Sequence, residues 1–254
     1  MLLVVDIGNT NTHLGLCQEG RIEKTWDTPT SVKIGTQGLL REIQRHLPRG
    51  ARVSGACVAS VVPDIDSLWW SVLQKKFRLE PVWVTAKLPL GMEIRYKPVS
   101  AVGADRIANA VGGFKKYGGP LIIVDFGTAV TFDVIDAQGN YIGGVIGPGI
   151  GLTIQALHEK TALLPKIELK QPLKILGENT VSAMQSGIVV GFCGMIKEVV
   201  EGLRRELHHL KEFKVVATGG YCEPIAKQLP FLTEVNPLLT LEGLCEIYER
   251  VKKT

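Results

Sequence analysis

Several common chemistries are missing from this chain. Its 254 residues contain neither a G-x-x-x-x-G-K-[S/T] nor a G-x-G-x-x-G pattern, which removes a Walker loop and a dinucleotide-binding turn. No stretch interleaves lysine or arginine with aromatics, and the formal charge of only +4 comes from scattered side chains. A nucleic-acid surface is therefore not indicated. The five cysteines (Cys17, Cys57, Cys193, Cys222, Cys245) make no C-x-x-C pair and leave one over in any disulfide scheme, so reduced thiols in a cytoplasmic protein are expected. His46, His158 and the His208-His209 pair lack metal-ligand spacing. No run approaches the ~20 apolar residues of a membrane span; the longest, Gly187 to Ile196, is short and glycine-rich. The opening Met1 to Asp6 has no basic lead-in, so a signal peptide is not expected. No membrane and no nucleic-acid partner is expected. What remains, 45% hydrophobic and 21% charged residues, is ordinary for a globular protein.

What is present is a phrase said twice. Leu2-Leu3-Val4-Val5-Asp6-Ile7-Gly8-Asn9-Thr10 returns as Leu121-Ile122-Ile123-Val124-Asp125-Phe126-Gly127-Thr128-Ala129, and the same offset carries Thr12 onto Thr131 and Gly20 onto Gly139. Each copy reads as a buried strand ending in Asp, a glycine turn, and a second strand closed by another glycine turn. Such an internal repeat predicts two similar halves, 1–117 and 118–254. In each, three strands in hairpins precede alternating helices and strands, the pattern of an α/β fold with a mixed sheet and flanking helices. Helices are expected at 36–46, from Pro63, from about Gly103, over 152–164, from Thr180 and at the end, the last with Leu241, Leu244, Ile247, Tyr248 and Val251 on one face. On the long helix from Thr180, Gly187, Gly191 and Gly194 sit on adjacent turns, each costing about 1 kcal/mol relative to alanine. Close approach of another helix would offset that cost, either within the chain or across a dimer seam.

The chemistry gathers at the turns. In Asp6-Ile7-Gly8-Asn9-Thr10-Asn11-Thr12, Gly8 lets backbone approach an anion, and the residues after it supply hydroxyl and amide donors. Asp6 is placed to hold hydrated Mg²⁺, although an Asp that only caps the turn has the same spacing. The second turn, Asp125-Phe126-Gly127-Thr128, is poorer in donors, which suits a cation or nucleotide more than phosphate. Gly103-Ala104-Asp105-Arg106 adds a third carboxylate at a helix start. It reads either as a base accepting a hydroxyl proton, with Arg106 binding an anionic group, or as an Asp that stabilises the helix dipole; spacing does not choose. Tyr96 could line a pocket or pack, and His13, at a strand position otherwise apolar, is read as structural.

These motifs, with Gly143-Gly144-Val145-Ile146-Gly147-Pro148-Gly149, Leu163-Leu164-Pro165, Gly177-Glu178-Asn179-Thr180, Thr218-Gly219-Gly220 and Leu239 to Leu244, occur in an order that resembles type III pantothenate kinase over essentially the whole chain. The resemblance implies the actin–hexokinase–Hsp70 type of fold, two duplicated ribonuclease-H-like halves with a nucleotide cleft between them, and a homodimer. It implies ATP-dependent phosphorylation of the primary hydroxyl of pantothenate, the first step towards coenzyme A. It makes Asp105 the base. ATP would contact Asp6, Ile7, Gly8, Asn9, Thr10, Asn11, Thr12, His13 and Thr128, with Asp6 supporting Mg²⁺ through water. Pantothenate would contact Tyr96, Gly103, Ala104, Asp105, Arg106 and Thr180, and Asp125 would bind an activating monovalent cation, K⁺ or NH₄⁺. Two alternatives stay open at this stage: an ATP- or polyphosphate-hydrolysing switch of the same fold, and a nucleotide-sensing accessory factor for transcription.

Overall fold

Leu2 to Val5 are apolar without alternation, the pattern of a strand covered on both faces. In the computed structural model, which describes residues 1–210 and 212–253, they form the central strand of a five-stranded sheet. That strand, β1 (Leu2–Ile7), pairs antiparallel with β2 (Asn11–Gln18), which pairs antiparallel with β3 (Arg21–Pro29). On its other side β1 pairs parallel with β4 (Gly55–Ser60), followed by the short β5 (Val82–Trp83). Helices α1 (Gly35–His46), α2 (Pro63–Ser71) and α3 (Ala104–Tyr117) complete the run of this half, and α2 passes into a π-turn at Val72–Lys76.

The second copy of the phrase builds the same object. β6 (Leu121–Phe126) is again central, with β7 (Ala129–Ile135) and β8 (Tyr141–Pro148) antiparallel on one side. β9 (Lys214–Thr218) and β10 (Glu234–Val235) lie parallel on the other. The strand orders β3-β2-β1-β4-β5 and β10-β9-β6-β7-β8 are one topology used twice. Helices α4 (Ile150–Glu159), α5 (Thr180–Glu206) and α6 (Cys222–Ala226) belong to this half.

The repeat is not a rigid copy. Between the paired residues Ile7 and Thr12 lie four residues, Gly8 to Asn11; between Phe126 and Val130 lie three, Gly127 to Ala129. The next hairpin restores the count: four residues separate Cys17 from Ile22, and five separate Ile135 from Tyr141. Gly20 and Gly139 therefore keep the sequence offset, but Thr12 and Thr131 do not occupy equivalent places. The cross-strand partner of Asp6 is His13, and that of Asp125 is Thr131.

The chain divides into two compact units, Met1–Lys116 with the segment from Leu238 onward, and Tyr117–Pro237. The final helix, α7 (Leu239–Lys253), lies at the end of the sequence half 118–254 and packs on β1, β2 and β4 of the first unit. Its seat depends on glycine. A Cβ on Gly243 would meet the Ala108 carbonyl at 1.9 Å, and one on Gly112 would meet Gly243 Cα at 2.8 Å, so α3 and α7 cross backbone to backbone. Leu239, Leu241, Leu244, Cys245 and Ile247 form the buried face.

Helix α4 also differs from expectation, stopping at Glu159 rather than running to Leu164. The Thr161 hydroxyl donates to the Leu157 carbonyl at 2.7 Å and accepts from the Leu164 N–H at 3.3 Å, so it ties the last turn to the non-helical segment that follows. α5 starts where Asn179 accepts from the Ser182 N–H and Ser182 reciprocates, a capping box. Its buried residues Met184, Ile188, Val189, Phe192, Ile196 and Val200 lie in the core against the second sheet, while Val181 is exposed. By length and composition α5 falls in the range of membrane-crossing helices, contrary to the expectation from run length, although core helices of globular proteins pass the same test.

Candidate functional site

The turn after β1 is bolted from beneath. The Gly8 N–H donates to the Asn11 carbonyl at 3.1 Å, and a Cβ on Gly8 would meet that oxygen at 2.9 Å. Thr30, just beyond β3, fastens it further: its hydroxyl donates to the Gly8 carbonyl at 2.7 Å and its N–H to the Thr10 carbonyl at 3.0 Å. The Thr30 hydroxyl also lies 2.8 Å from that of Thr12, which is buried. Thr30 carries no signal in sequence, because only the register of β2 on β3 brings it under the turn. Asn9, Thr10 and Asn11 are exposed on this base, above a fastened backbone.

Asp6 lies in a row of side chains crossing the sheet. His13 is its partner on β2, Asp27 is the partner of His13 on β3, and Ala59 is its neighbour on β4. Directly paired residues leave a sheet on the same face. His13 Nδ1 lies 2.7 Å from Asp27 Oδ1, with 42% of the histidine side chain exposed. The imidazole is therefore not a core residue; it is tethered at the edge of the Asp6 turn.

The third carboxylate stands beside the same strand ends. The Val61 N–H, just past β4, donates to the Ile7 carbonyl at 3.1 Å, and Val61 lies 3.5 Å from where a Gly103 Cβ would be. That Cβ would also meet Asp105 Oδ1 at 2.4 Å, so position 103 must be glycine for the carboxylate to keep its place. Asp105 Oδ1 accepts from the Arg106 N–H at 2.8 Å. Burial raises the Asp105 pKa above the ordinary carboxylate value; the Arg106 N–H and guanidinium offset this only in part. The Arg106 side chain is itself buried, its guanidinium 5.9 Å from the centre of the Tyr96 ring. The loop with Tyr96 continues through a cis Lys97–Pro98 bond. Tyr96, Gly103, Asp105 and Arg106 are thus one assembly in the first unit. Thr180 belongs to the second, exposed on the first turn of α5.

The turn after β6 is built differently. A Cβ on Gly149 would meet the Thr128 carbonyl at 2.1 Å, so the Gly147-Pro148-Gly149 segment presses on the turn, and Thr128 is exposed. Gly219, with φ +88°, packs so closely that a Cβ there would meet Asp125 Oδ1 at 2.4 Å. Across the sheet, Asp125 has Thr131 on one side and Thr218 on the other. Both threonine hydroxyl oxygens are buried and have no hydrogen-bond partner. Thr218 is visible in sequence as part of a glycine turn, whereas Thr131 emerges as a neighbour of Asp125 only through the register. Among the described residues, no group of three His, Cys, Asp or Glu side chains could hold a metal ion.

On α5 the three glycines face open space: a Cβ on Gly187, Gly191 or Gly194 would meet nothing within 4 Å. Among the described residues, no element makes the close crossing within the chain that is one reading of these glycines. Beside Gly187 and Gly191 runs an apolar groove of about 300 Å³, with Pro148, Leu157, Met184 and Met195 in its walls.

The family model for type III pantothenate kinase matches residues 2–202. A type III pantothenate kinase from Koribacter versatilis is 42% identical over 265 residues, spanning 98% of this chain and 96% of that protein. Among solved structures, a Campylobacter jejuni protein assigned to the Baf family of transcriptional activators has a TM-score of 0.62 at 18% identity, over 99% of this chain and 100% of that one. The activator of 2-hydroxyisocaproyl-CoA dehydratase from Clostridium difficile, solved with bound ADPNP, has a TM-score of 0.53 at 13% identity, over 99% and 96%. At such identities the structures speak for the fold alone, the duplicated actin–hexokinase type of α/β ATPase. The chain belongs to the type III pantothenate kinase family, and its activity is ATP-dependent phosphorylation of pantothenate in coenzyme A biosynthesis.

Proposed function

We propose that Asp105 is the base that takes the proton from the primary hydroxyl of pantothenate as that oxygen attacks the γ-phosphorus of ATP and the bond to the β,γ-bridging oxygen breaks, releasing ADP. The observation that carries this is its setting: a carboxylate held at a helix start by its neighbour's N–H, with burial making it a stronger base than an exposed Asp. Arg106, buried against Tyr96, is assigned to the pantothenate carboxylate, since a guanidinium already desolvated and oriented binds a carboxylate strongly. Gly103 and Ala104 shape the same pocket. Thr180 completes the pantothenate contacts by family likeness.

ATP is assigned to residues 6 to 13 and Thr128. The exposed donors of Asn9, Thr10 and Asn11 on a backbone pinned by Thr30 support a phosphate contact that needs little reorganisation. Phosphoryl transfer through a loose transition state asks for positioning and charge neutralisation, which such a turn supplies. Asp6 holds Mg²⁺ through water; with no cluster of three acids among the described residues, an ion that keeps its waters suits the donors present. Mg²⁺ supplies neutralisation of phosphate charge. Asp125 is the ligand for K⁺ or NH₄⁺: one carboxylate beside buried, unpartnered hydroxyls matches a single positive charge and oxygen ligation. The monovalent cation supplies a fixed positive charge.

The active form is a homodimer joined through α5, supported by its open glycines and by the exposed Leu152, Val181 and Val190. It works in the cytoplasm, with no nucleic-acid or membrane partner. Steady-state kinetics of Arg106→Ala test the substrate assignment: KM for pantothenate should rise by at least tenfold and KM for ATP should hold. Equal changes in both would reject it.

A further inference from the structure

Two buried hydroxyls without a partner are expensive, and here they flank one carboxylate. Asp125 pairs antiparallel with Thr131 and parallel with Thr218, so the three side chains leave the second sheet on one face. Thr218 is fully buried, and neither its hydroxyl nor that of Thr131 has a hydrogen-bond partner. A group with two acceptor lone pairs and one donor is satisfied almost everywhere in folded proteins, so a pair of orphans at one place calls for a ligand.

The arrangement is specific to this carboxylate. On the equivalent row of the first sheet Asp6 is flanked by His13 and Ala59, and no buried orphan stands beside it. Gly219 closes the site with bare backbone against Asp125 Oδ1, so no protein side chain enters from that turn. The donors are all oxygen and carry one negative charge in total, which fits a monovalent cation and underserves a divalent one.

We propose that Thr131 and Thr218 are co-ligands of the monovalent cation, their hydroxyl lone pairs replacing part of its water shell while Asp125 supplies the charge. This rests on the assignment of Asp125 to that cation. The ion then ties β6, β7 and β9 together where the Gly219 turn begins, and it stabilises the second unit whether or not turnover occurs.

Thermal unfolding without nucleotide, with KCl exchanged for choline chloride at constant ionic strength, tests this on the full chain. K⁺ should raise the wild-type Tm in a saturable way. Thr131→Val and Thr218→Val should each weaken the apparent K⁺ affinity by about tenfold or more. In choline chloride both should be at least as stable as wild type, because a methyl group replaces an unpaired hydroxyl in dry surroundings. Thr218→Ser, which keeps the oxygen, should keep the wild-type K⁺ response, and Asp125→Asn should lose it. If the valine variants keep the wild-type K⁺ affinity while Asp125→Asn loses it, the co-ligand assignment fails and that of Asp125 stands. If Asp125→Asn also keeps the response, or wild type has none, both fail. Valine variants that unfold earlier in choline chloride would show that the hydroxyls serve the protein itself, which also overturns the proposal.

Discussion

The two sheets carry the same row of positions and fill it with different chemistry. In the first, Asp27, His13, Asp6 and Ala59 run from edge to centre; in the second, Ile146, Thr131, Asp125 and Thr218 occupy those places. The first row is polar towards its edge, with a tethered imidazole half open to solvent, and it sits under a turn of exposed donors. The second runs from an exposed Ile146 to a buried Thr218, with two orphaned hydroxyls against the acid and a turn one residue shorter. A duplicated fold thus provides two carboxylates at equivalent points, and the proposed assignment divides the work between them: phosphate and hydrated Mg²⁺ at Asp6, a partly dehydrated monovalent ion at Asp125.

The largest effect should come from the acid outside both rows. Asp105→Asn should lower kcat by about 10²–10⁴-fold while ATP binding, followed by calorimetry, persists. A loss confined to ATP affinity would return the proton chemistry to one of the rows. The same variant has a pH signature. The folded-state pKa of Asp105 is raised by burial, so its contribution to stability is fully present below the unfolded pKa and is lost as pH rises through the folded value. Asp105→Asn has no such loss and should melt higher than wild type at neutral pH, with the gap closing on acidification. Wild-type kcat/KM should fall as Asp105 becomes protonated, on an acid limb above the ordinary carboxylate range.

Next come the rows themselves. Asp6→Asn should cost about 10²–10³-fold in kcat/KM, the scale of a lost charge-stabilising contact. Asp125→Asn should cost about tenfold at high KCl, the scale of a weakened cation site. Equal losses would erase the contrast. His13→Ala should have the smallest effect: about 1 kcal/mol, a KM for ATP a few-fold higher with kcat nearly unchanged, read from initial rates.

How much of this was legible in sequence follows from what each feature depends on. The repeated Asp–Gly phrase marks both central strands because burial on two faces demands continuous apolar residues there. The Asp105 turn shows itself as an acid at a helix start. Register is different, since it is a property of pairs: one residue dropped from the second turn and one added to the next hairpin leave the sequence offset intact while moving Thr131 opposite Asp125. Thr30 under the turn after β1 and the orphan hydroxyls were hidden for the same reason. The final helix shows its amphipathic face, but the choice of sheet rests on the meeting of Gly112 with Gly243, more than a hundred residues apart. The glycines of α5 advertise a close approach, and only the structure shows that none of the described residues fills it.

The division of work between the two carboxylates is tested most directly by one paired titration: thermal stability of Asp6→Asn and Asp125→Asn against KCl, and separately against Mg·ATP. The account predicts a crossed result, in which Asp6→Asn keeps the K⁺ response and loses most of the Mg·ATP response, while Asp125→Asn loses the K⁺ response and keeps most of that to Mg·ATP. Parallel loss of both responses in both variants would contradict it and make the two acids a single site.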